Sequence, residues 1–351
     1  MDQLHYLHGK PDVTANIRTV NEDFIVQEIL PFAPTGEGEH HLVHIRKSGL
    51  NTAQVVDMLA KFAKVHPKDV GYAGQKDKNA VTEQWFGIRI PGKDTPDWKA
   101  LNQDNLQVLE CHRHSKKLRI GALIGNRFTL TLKQVSDIEA LLERLNIIKA
   151  QGVPNYFGEQ RFGHHGKNLI QGRKMLNGGR KIKDRKKRSL YLSAVRSNAF
   201  NIAASARLAE SQQQPLDGDC VMLSGSKSFF VVDTWDEENL SRLASHDIQL
   251  SAPLWGRGDA LSHKDALASE QEALSTLADD LVSLEQAGLN QERRPIILMP
   301  QAVKHSINGD SVVIEFFLPA GSFATSILRE LVDYQDVQNQ QWLESLKQET
   351  K

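Results

Sequence analysis

The sequence predicts an α+β protein built on a mainly antiparallel mixed sheet flanked by helices. Two observations lead there. β-rich and amphipathic helical segments are mixed through the first 150 residues without regular strand–helix–strand units. Apolar residues make up 40% and charged residues 25% of the 351, the balance of an ordinary core with a solvated surface.

The elements follow in order. Asp23-Phe24-Ile25-Val26-Gln27-Glu28 and Leu42-Val43-His44-Ile45 are short and β-rich, separated by the turn formers Pro34-Thr35-Gly36-Glu37-Gly38. Asn51 to His66 is an amphipathic helix. Val55, Met58, Leu59, Phe62 and Val65 share one face, Asn51 with Gln54 makes a capping-box start, and Pro67 stops it. Trp85 to Ile90 is a strand ended by Pro91-Gly92. Arg127 to Lys133 alternates, with Phe128, Leu130 and Leu132 inward. Ser136 and Glu139 then read as a capping box for a helix with the stripe Ile138, Leu141, Leu142, Leu145 and Ile148.

Composition shifts near Gln151-Gly152. A Gly-, Asn- and aromatic-rich stretch follows, then a basic one, then a helix over about 189–210. A strand pair at 220–223 and 229–232 and an acidic helical stretch at about 265–287 come next. After Pro300 β character returns at Ser311 to Phe317, Ala320-Gly321-Ser322 turns, and a helix begins near Ala324. The expectation is a discontinuous core, 1–151 with 298–351, interrupted by an α/β insertion at 152–297; two sequential domains fit the same pattern.

Net charge is zero, but the charges are segregated. Cys111 to Val135 holds six Lys or Arg and no acid, and Arg161 to Arg188 holds eleven against the single Asp184. Asp265 to Glu292 holds seven acids and no Lys or Arg. A polyanion responds to the local field, so one positive face is compatible with a neutral sum. Two cysteines, Cys111 and Cys220, are too few for a disulfide framework, and no long apolar span or secretory signal is visible. A cytoplasmic protein without membrane contact is the expectation. Common cofactor signatures are missing. His40, His41 and His44 fall on alternating sides of a strand with no completing carboxylate or thiolate, so no metal is expected.

The segment Gly71-Tyr72-Ala73-Gly74-Gln75-Lys76-Asp77-Lys78-Asn79-Ala80-Val81-Thr82-Glu83-Gln84-Trp85 joins the amphipathic helix to a strand. A Gly-containing loop held by rigid elements suits a catalytic group, and Lys76 and Lys78 flank Asp77. A turn aspartate capping a local N–H between solvent-facing lysines fits the same residues.

This segment resembles the signature of the tRNA pseudouridine synthase D family, in which the Asp of Gly-Gln-Lys-Asp is catalytic. Four further segments resemble that family in the same order: Glu22-Asp23-Phe24-Ile25-Val26, Gly125-Asn126-Arg127-Phe128, Asn155-Tyr156-Phe157-Gly158-Glu159-Gln160-Arg161-Phe162-Gly163 and Leu318-Pro319-Ala320-Gly321-Ser322-Phe323-Ala324-Thr325. Pro253-Leu254-Trp255-Gly256 is similar to part of the family's insertion.

The resemblance implies a pseudouridine synthase-like core, uridine 13 of a subset of tRNAs as substrate, and no cofactor. It implies Asp77 as nucleophile, with Phe24, Asn126 and Phe323 lining the pocket of a flipped-out uridine. Whether Asp77 attacks the sugar or the base, or assists deprotonation, is left open. Lys116, Lys117, Arg119 and the run Arg180 to Arg188, with Arg185, Lys186, Lys187 and Arg188 at its end, are candidate phosphate contacts. Arg18 is a candidate cationic partner of Asp77 across the sheet. The partner is tRNA; no protein partner is implied, and a monomer is expected. The rival readings are a non-catalytic RNA-binding protein and a nucleosidase-like hydrolase with Glu83 as second carboxylate.

Overall fold

The structure, a computed structural model, describes residues 3–92, 94–179, 182–211 and 213–349. The chain divides into two compact units. One comprises Asp12–Lys149, Pro300–Ala324 and Leu331–Lys351, the other Met1–Pro11, Ala150–Met299 and Thr325–Glu330. Met1–Pro11 and Thr325–Glu330, expected in the core from sequence, thus group with the segment that follows residue 149. Polar contacts supply the reason. Arg329 Nη1 donates to His5 O at 3.2 Å, His8 N to Glu330 Oε2 at 3.2 Å, and Ser326 Oγ to Tyr156 O at 3.0 Å.

The first unit begins with β1 (Thr14–Ile17), β2 (Phe24–Ile29), β3 (His40–Ser48), α1 (Thr52–Ala63), β4 (Val70–Tyr72), β5 (Val81–Arg89), β6 (Leu106–His114), β7 (Gly125–Leu132) and α2 (Ile138–Gln151). Its eight-stranded sheet runs Gln301–Asn308, Ser311–Pro319, β7, β2, β5, β3, β6, with β4 on part of β5. Only β2 with β5 is parallel among these pairings. β5 starts four residues before the predicted Trp85, because Val81 to Gln84 pair with Ser48 to Ile45 of β3.

Asn51 caps α1 as expected: its side chain accepts from Gln54 N, and Gln54 Oε1 accepts from Asn51 N, both at 2.9 Å. The helix ends at Ala63 and not His66, since Lys64 turns left-handed at φ 53°. Val55, Leu59 and Ala60 pack on Val43, Ile45, Phe86 and Ile88. Burying a Val, Leu, Ile or Phe side chain contributes roughly 1.5–3 kcal/mol, so α1 and the sheet form a rigid base.

α2 is capped by Asp137, whose Oδ1 accepts from Ala140 N at 3.0 Å. The predicted cap, Ser136, instead accepts from Thr14 N at 2.9 Å. Asp333–Asp336, not anticipated from sequence, pairs in parallel with β1.

In the second unit an antiparallel sheet runs Phe229–Val232, Asp219–Leu223, Ile248–Leu254, Glu292–Pro295. Its long helix, Arg185–Ser211, starts earlier than the predicted 189 and so takes in the basic residues. Among the described residues no helix is long and apolar enough to cross a membrane.

Candidate active site

Residues 73–80 form the loop between β4 and β5, and a buried polar network holds its backbone. Gln84 Nε2 donates to Gly74 O. Thr52 Oγ1 donates to Gln84 Oε1 at 3.2 Å and accepts from Lys76 N at 2.9 Å. Lys47, 1% exposed, donates to Leu50 O at 2.5 Å and to Asp77 O at 3.1 Å. Burial pushes the Lys47 ammonium down to about 8, against the opposing pull of Asp77.

Lys76 turns inward. Its Nζ lies 2.6 Å from Glu28 Oε2, and Glu28 Oε1 accepts from Trp85 N at 3.2 Å. The expected charge support from this neighbour of Asp77 is therefore committed to Glu28, and Lys78 is exposed.

Arg18 meets the Asp77 carboxylate, with Nη2 3.6 Å from Oδ2. Its Nη1 donates to Asp336 Oδ2 at 2.6 Å, and its guanidinium lies 4.0 Å over the centroid of the Phe24 ring. Asp336 is delivered by the parallel pairing in which Ile17 registers with it. Arg18 sits at φ 52°, a backbone state that costs a non-glycine residue about 1–2 kcal/mol; both carboxylates and the Phe24 ring hold it there. The Asp77 side chain is 40% exposed. The site thus presents a half-open carboxylate on a backbone fixed from beneath.

Phe24 is buried, with one ring face against Arg18 and an edge-to-face contact with Phe128 at 6.3 Å. Asp23, just before it, is held as a carboxylate below its usual range: burial opposes this, but Lys133, the Thr19 hydroxyl and Val20 N outweigh it.

Asn126, on β7, is in register with Glu28 of β2, the residue that pairs with Lys76 of the Asp77 loop. Among the described residues its Oδ1 is buried without a hydrogen-bond partner, unmet capacity that a ligand amide could fill. Gly125, beside it, has no room for a side chain, because a Cβ there would stand 2.1 Å from Leu318 O. Phe323 is half-buried in the turn after Ser311–Pro319. Ala320 N, in that turn, donates to Ile124 O at 2.8 Å.

Lys116, Lys117 and Arg119 are exposed on the β6–β7 loop. Leu118 between them is buried with Leu42, Ala73 and Trp85. Gly71 lets this loop settle on β4, since a Cβ there would stand 2.4 Å from Leu118 O. In the second unit, Arg185, Lys186, Lys187 and Arg188 are exposed at the start of their helix, where Asp184 Oδ1 accepts from Lys186 N at 2.8 Å. Arg180 and Lys181 of the expected run lie outside the described residues. Glu83 is engaged by Gln27 Nε2 at 2.9 Å and faces Arg46 at 3.9 Å. Among the described residues no three His, Cys, Asp or Glu side chains are grouped to hold a metal.

Sequence reasoning missed Lys47, Glu28, Thr52, Gln84 and Asp336. For two of them a signal was present. Glu28 falls on the inward parity of Phe24 and Val26, and Lys47 on that of Val43 and Ile45. A charge at an inward register position needs a partner.

Comparison with known proteins gives a consistent answer. The family model described as tRNA pseudouridine synthase D matches residues 1–183 and 167–331. A tRNA pseudouridine synthase D of Shewanella oneidensis is 65% identical over 350 residues, covering 100% of this chain and 94% of the relative. One of Aeromonas hydrophila is 49% identical over 337 residues, covering 96% of each. A solved chain from Methanosarcina mazei, provisionally named tRNA pseudouridine synthase D, superposes with a TM-score of 0.71 at 22% identity. That likeness covers 93% of this chain and 95% of the other, and it speaks to the fold.

Proposed function

Because the chain belongs to the tRNA pseudouridine synthase D family, we propose that it isomerises uridine 13 of a subset of tRNAs with Asp77 as the catalytic nucleophile. The reaction breaks the N1–C1′ bond and makes a C5–C1′ bond; C5 loses a proton and N1 gains one. Nothing is oxidised or hydrolysed.

One observation carries the assignment. Asp77 is the residue at which a buried network fixes the backbone while the carboxylate stays partly open beside Arg18. Such preorganisation places a reacting group at little entropic cost in the transition state. Arg18 orients the carboxylate. Asn126 reads the edge of the flipped base through its unmet amide, and Phe24 and Phe323 form the apolar wall, offsetting the few kcal/mol of unstacking.

Lys116, Lys117 and Arg119, and separately Arg185, Lys186, Lys187 and Arg188, take backbone phosphates. The second group supports this reading energetically. Cations in the first turn oppose the helix dipole, which makes them a poor choice for stability alone. Residues 152–297 serve as the insertion in a core of 1–151 and 298–351, with Met1–Pro11 and Thr325–Glu330 joining the compact unit of the insertion, and the chain acts as a cytoplasmic monomer.

The test is Asp77→Asn on tRNA from a strain lacking the enzyme, followed by tritium release from C5-labelled uridine. Release should disappear while tRNA affinity stays within about threefold. An Asp77→Asn protein with full activity would remove the assignment. A wild-type protein that never forms pseudouridine would favour a non-catalytic RNA binder.

A further inference from the structure

We propose that Ile120, at the tip of the β6–β7 loop, is an apolar wedge that enters the RNA base stack beside the uridine withdrawn for reaction. The proposal rests on the reading of this chain as a uridine-flipping enzyme and deepens it.

Ile120 is 78% exposed, which leaves most of its apolar side chain in water, and Ile124 on the same loop is 51% exposed. A floppy loop could bury such side chains by folding over. This loop is fixed on both sides. Leu118 is 1% exposed in the cluster with Leu42, Ala73 and Trp85. Ala122 N closes the turn on Arg119 O at 3.1 Å, and Gly121 N donates to Ala73 O at 2.7 Å. Ile124 N then donates to Ile29 O at 2.9 Å, while Ile124 O accepts from Ala320 N at 2.8 Å. The loop is therefore strapped to the segment that leads into Asp77 and to the turn that carries Phe323. The sheet-bound anchors hold Ile120 outward.

The surroundings select the partner. Lys116, Lys117 and Arg119 are exposed around the tip, and no acid occurs from Cys111 to Val135. An apolar protein partner has no use for three exposed cations, whereas RNA supplies phosphates for them and base faces for the isoleucine. Apolar side chains inserted between base steps hold open a stack that a nucleotide has left. The sequence order Lys-Lys-Leu-Arg-Ile matches these tasks: cations for the backbone, a buried Leu for anchorage, an exposed Ile for the stack.

The experiment uses full-length protein and a tRNA transcript with 2-aminopurine beside the modified uridine. Ile120→Ala and Ile120→Asp are compared with Ile120→Leu, a wedge of the same size. Single-turnover tritium release should fall about tenfold or more for Ala and Asp, with tRNA affinity changed less than about threefold. The 2-aminopurine fluorescence rise on binding should be lost in both and kept in Ile120→Leu. Wild-type rate and fluorescence in Ile120→Asp, with wild type forming pseudouridine, would overturn the wedge and leave the function intact. A fluorescence rise on wild-type binding without any pseudouridine would instead overturn the function and leave insertion standing. Because Ile120 is exposed, an unchanged melting curve is expected for each variant; a shifted one with rescue failing in Ile120→Leu would mark a structural role and overturn the proposal.

Discussion

Lys76 Nζ and Glu28 Oε2 lie 2.6 Å apart with side-chain exposures of 6% and 0%, so the residue before Asp77 is tied by a buried ion pair to the middle of the sheet. Removing one partner leaves the other charge buried and uncompensated. Glu28→Gln or Lys76→Met should each lower unfolding stability by about 3–5 kcal/mol. The double substitution Glu28→Leu with Lys76→Met should cost less than the two single changes summed. Urea unfolding measures all of these, and an unchanged midpoint in either single variant would show that the pair is not what holds the loop.

Arg18 divides its guanidinium between Asp336 at 2.6 Å and Asp77 at 3.6 Å. Since Asp77 is 40% exposed, its share of that interaction is worth at most about 1 kcal/mol to stability after screening. The larger effect should be kinetic. Arg18→Ala is expected to reduce kcat about tenfold to a hundredfold with little change in KM, because it frees the carboxylate to rotate. Arg18→Lys keeps the charge but cannot fork to both carboxylates, so it should restore activity only in part. Steady-state tritium release gives the comparison; equal kcat in Arg18→Ala and wild type would contradict it.

Lys47 should leave a signature in alkaline stability. Burial lowers its folded value to about 8 from 10.5. Between those values the unfolded chain binds the extra proton, so this lysine makes stability rise with pH through that window. Below it both states are protonated and the full burial penalty applies. The gap in urea midpoint between wild type and Lys47→Met should therefore shift in favour of wild type from pH 8 to pH 10. A constant gap would mean the lysine is not desolvated.

The two cationic groups should separate by salt dependence. Each phosphate contact on a duplex contributes about 0.9 to the slope of log affinity against log salt. Neutralising Lys116, Lys117 and Arg119 together should lower that slope by up to about 2–3, and neutralising Arg185, Lys186, Lys187 and Arg188 by up to about 3–4. Filter binding from low to moderate salt would show it, and an unaltered slope would take that group out of the RNA contact surface.

The sequence by itself determined what depends on neighbours along the chain. The capping box at Asn51 and Gln54, the apolar face of α1 and the alternation of β7 are written in short-range spacing, and they appear where that spacing puts them. The Gly-Gln-Lys-Asp loop was visible as a loop for the same reason. Periodicity reports which face a residue occupies but not which strand lies opposite. For that reason Lys76 read as a neighbour of Asp77 while its charge is spent on Glu28, 48 positions away.

Only the tertiary structure decided who meets whom at the site. Arg18 reaches Asp77 because β1 pairs with Asp333–Asp336, a short segment with little pattern of its own, and Asp336 then grips the other side of the guanidinium. Lys47 is inward by parity, yet its purpose appears only when the loop carbonyl of Asp77 closes over it. The physical reason is the same in both cases. Burying a charge is tolerable only with a partner, and the partner is supplied by sheet register, which joins residues that no spacing in the sequence connects.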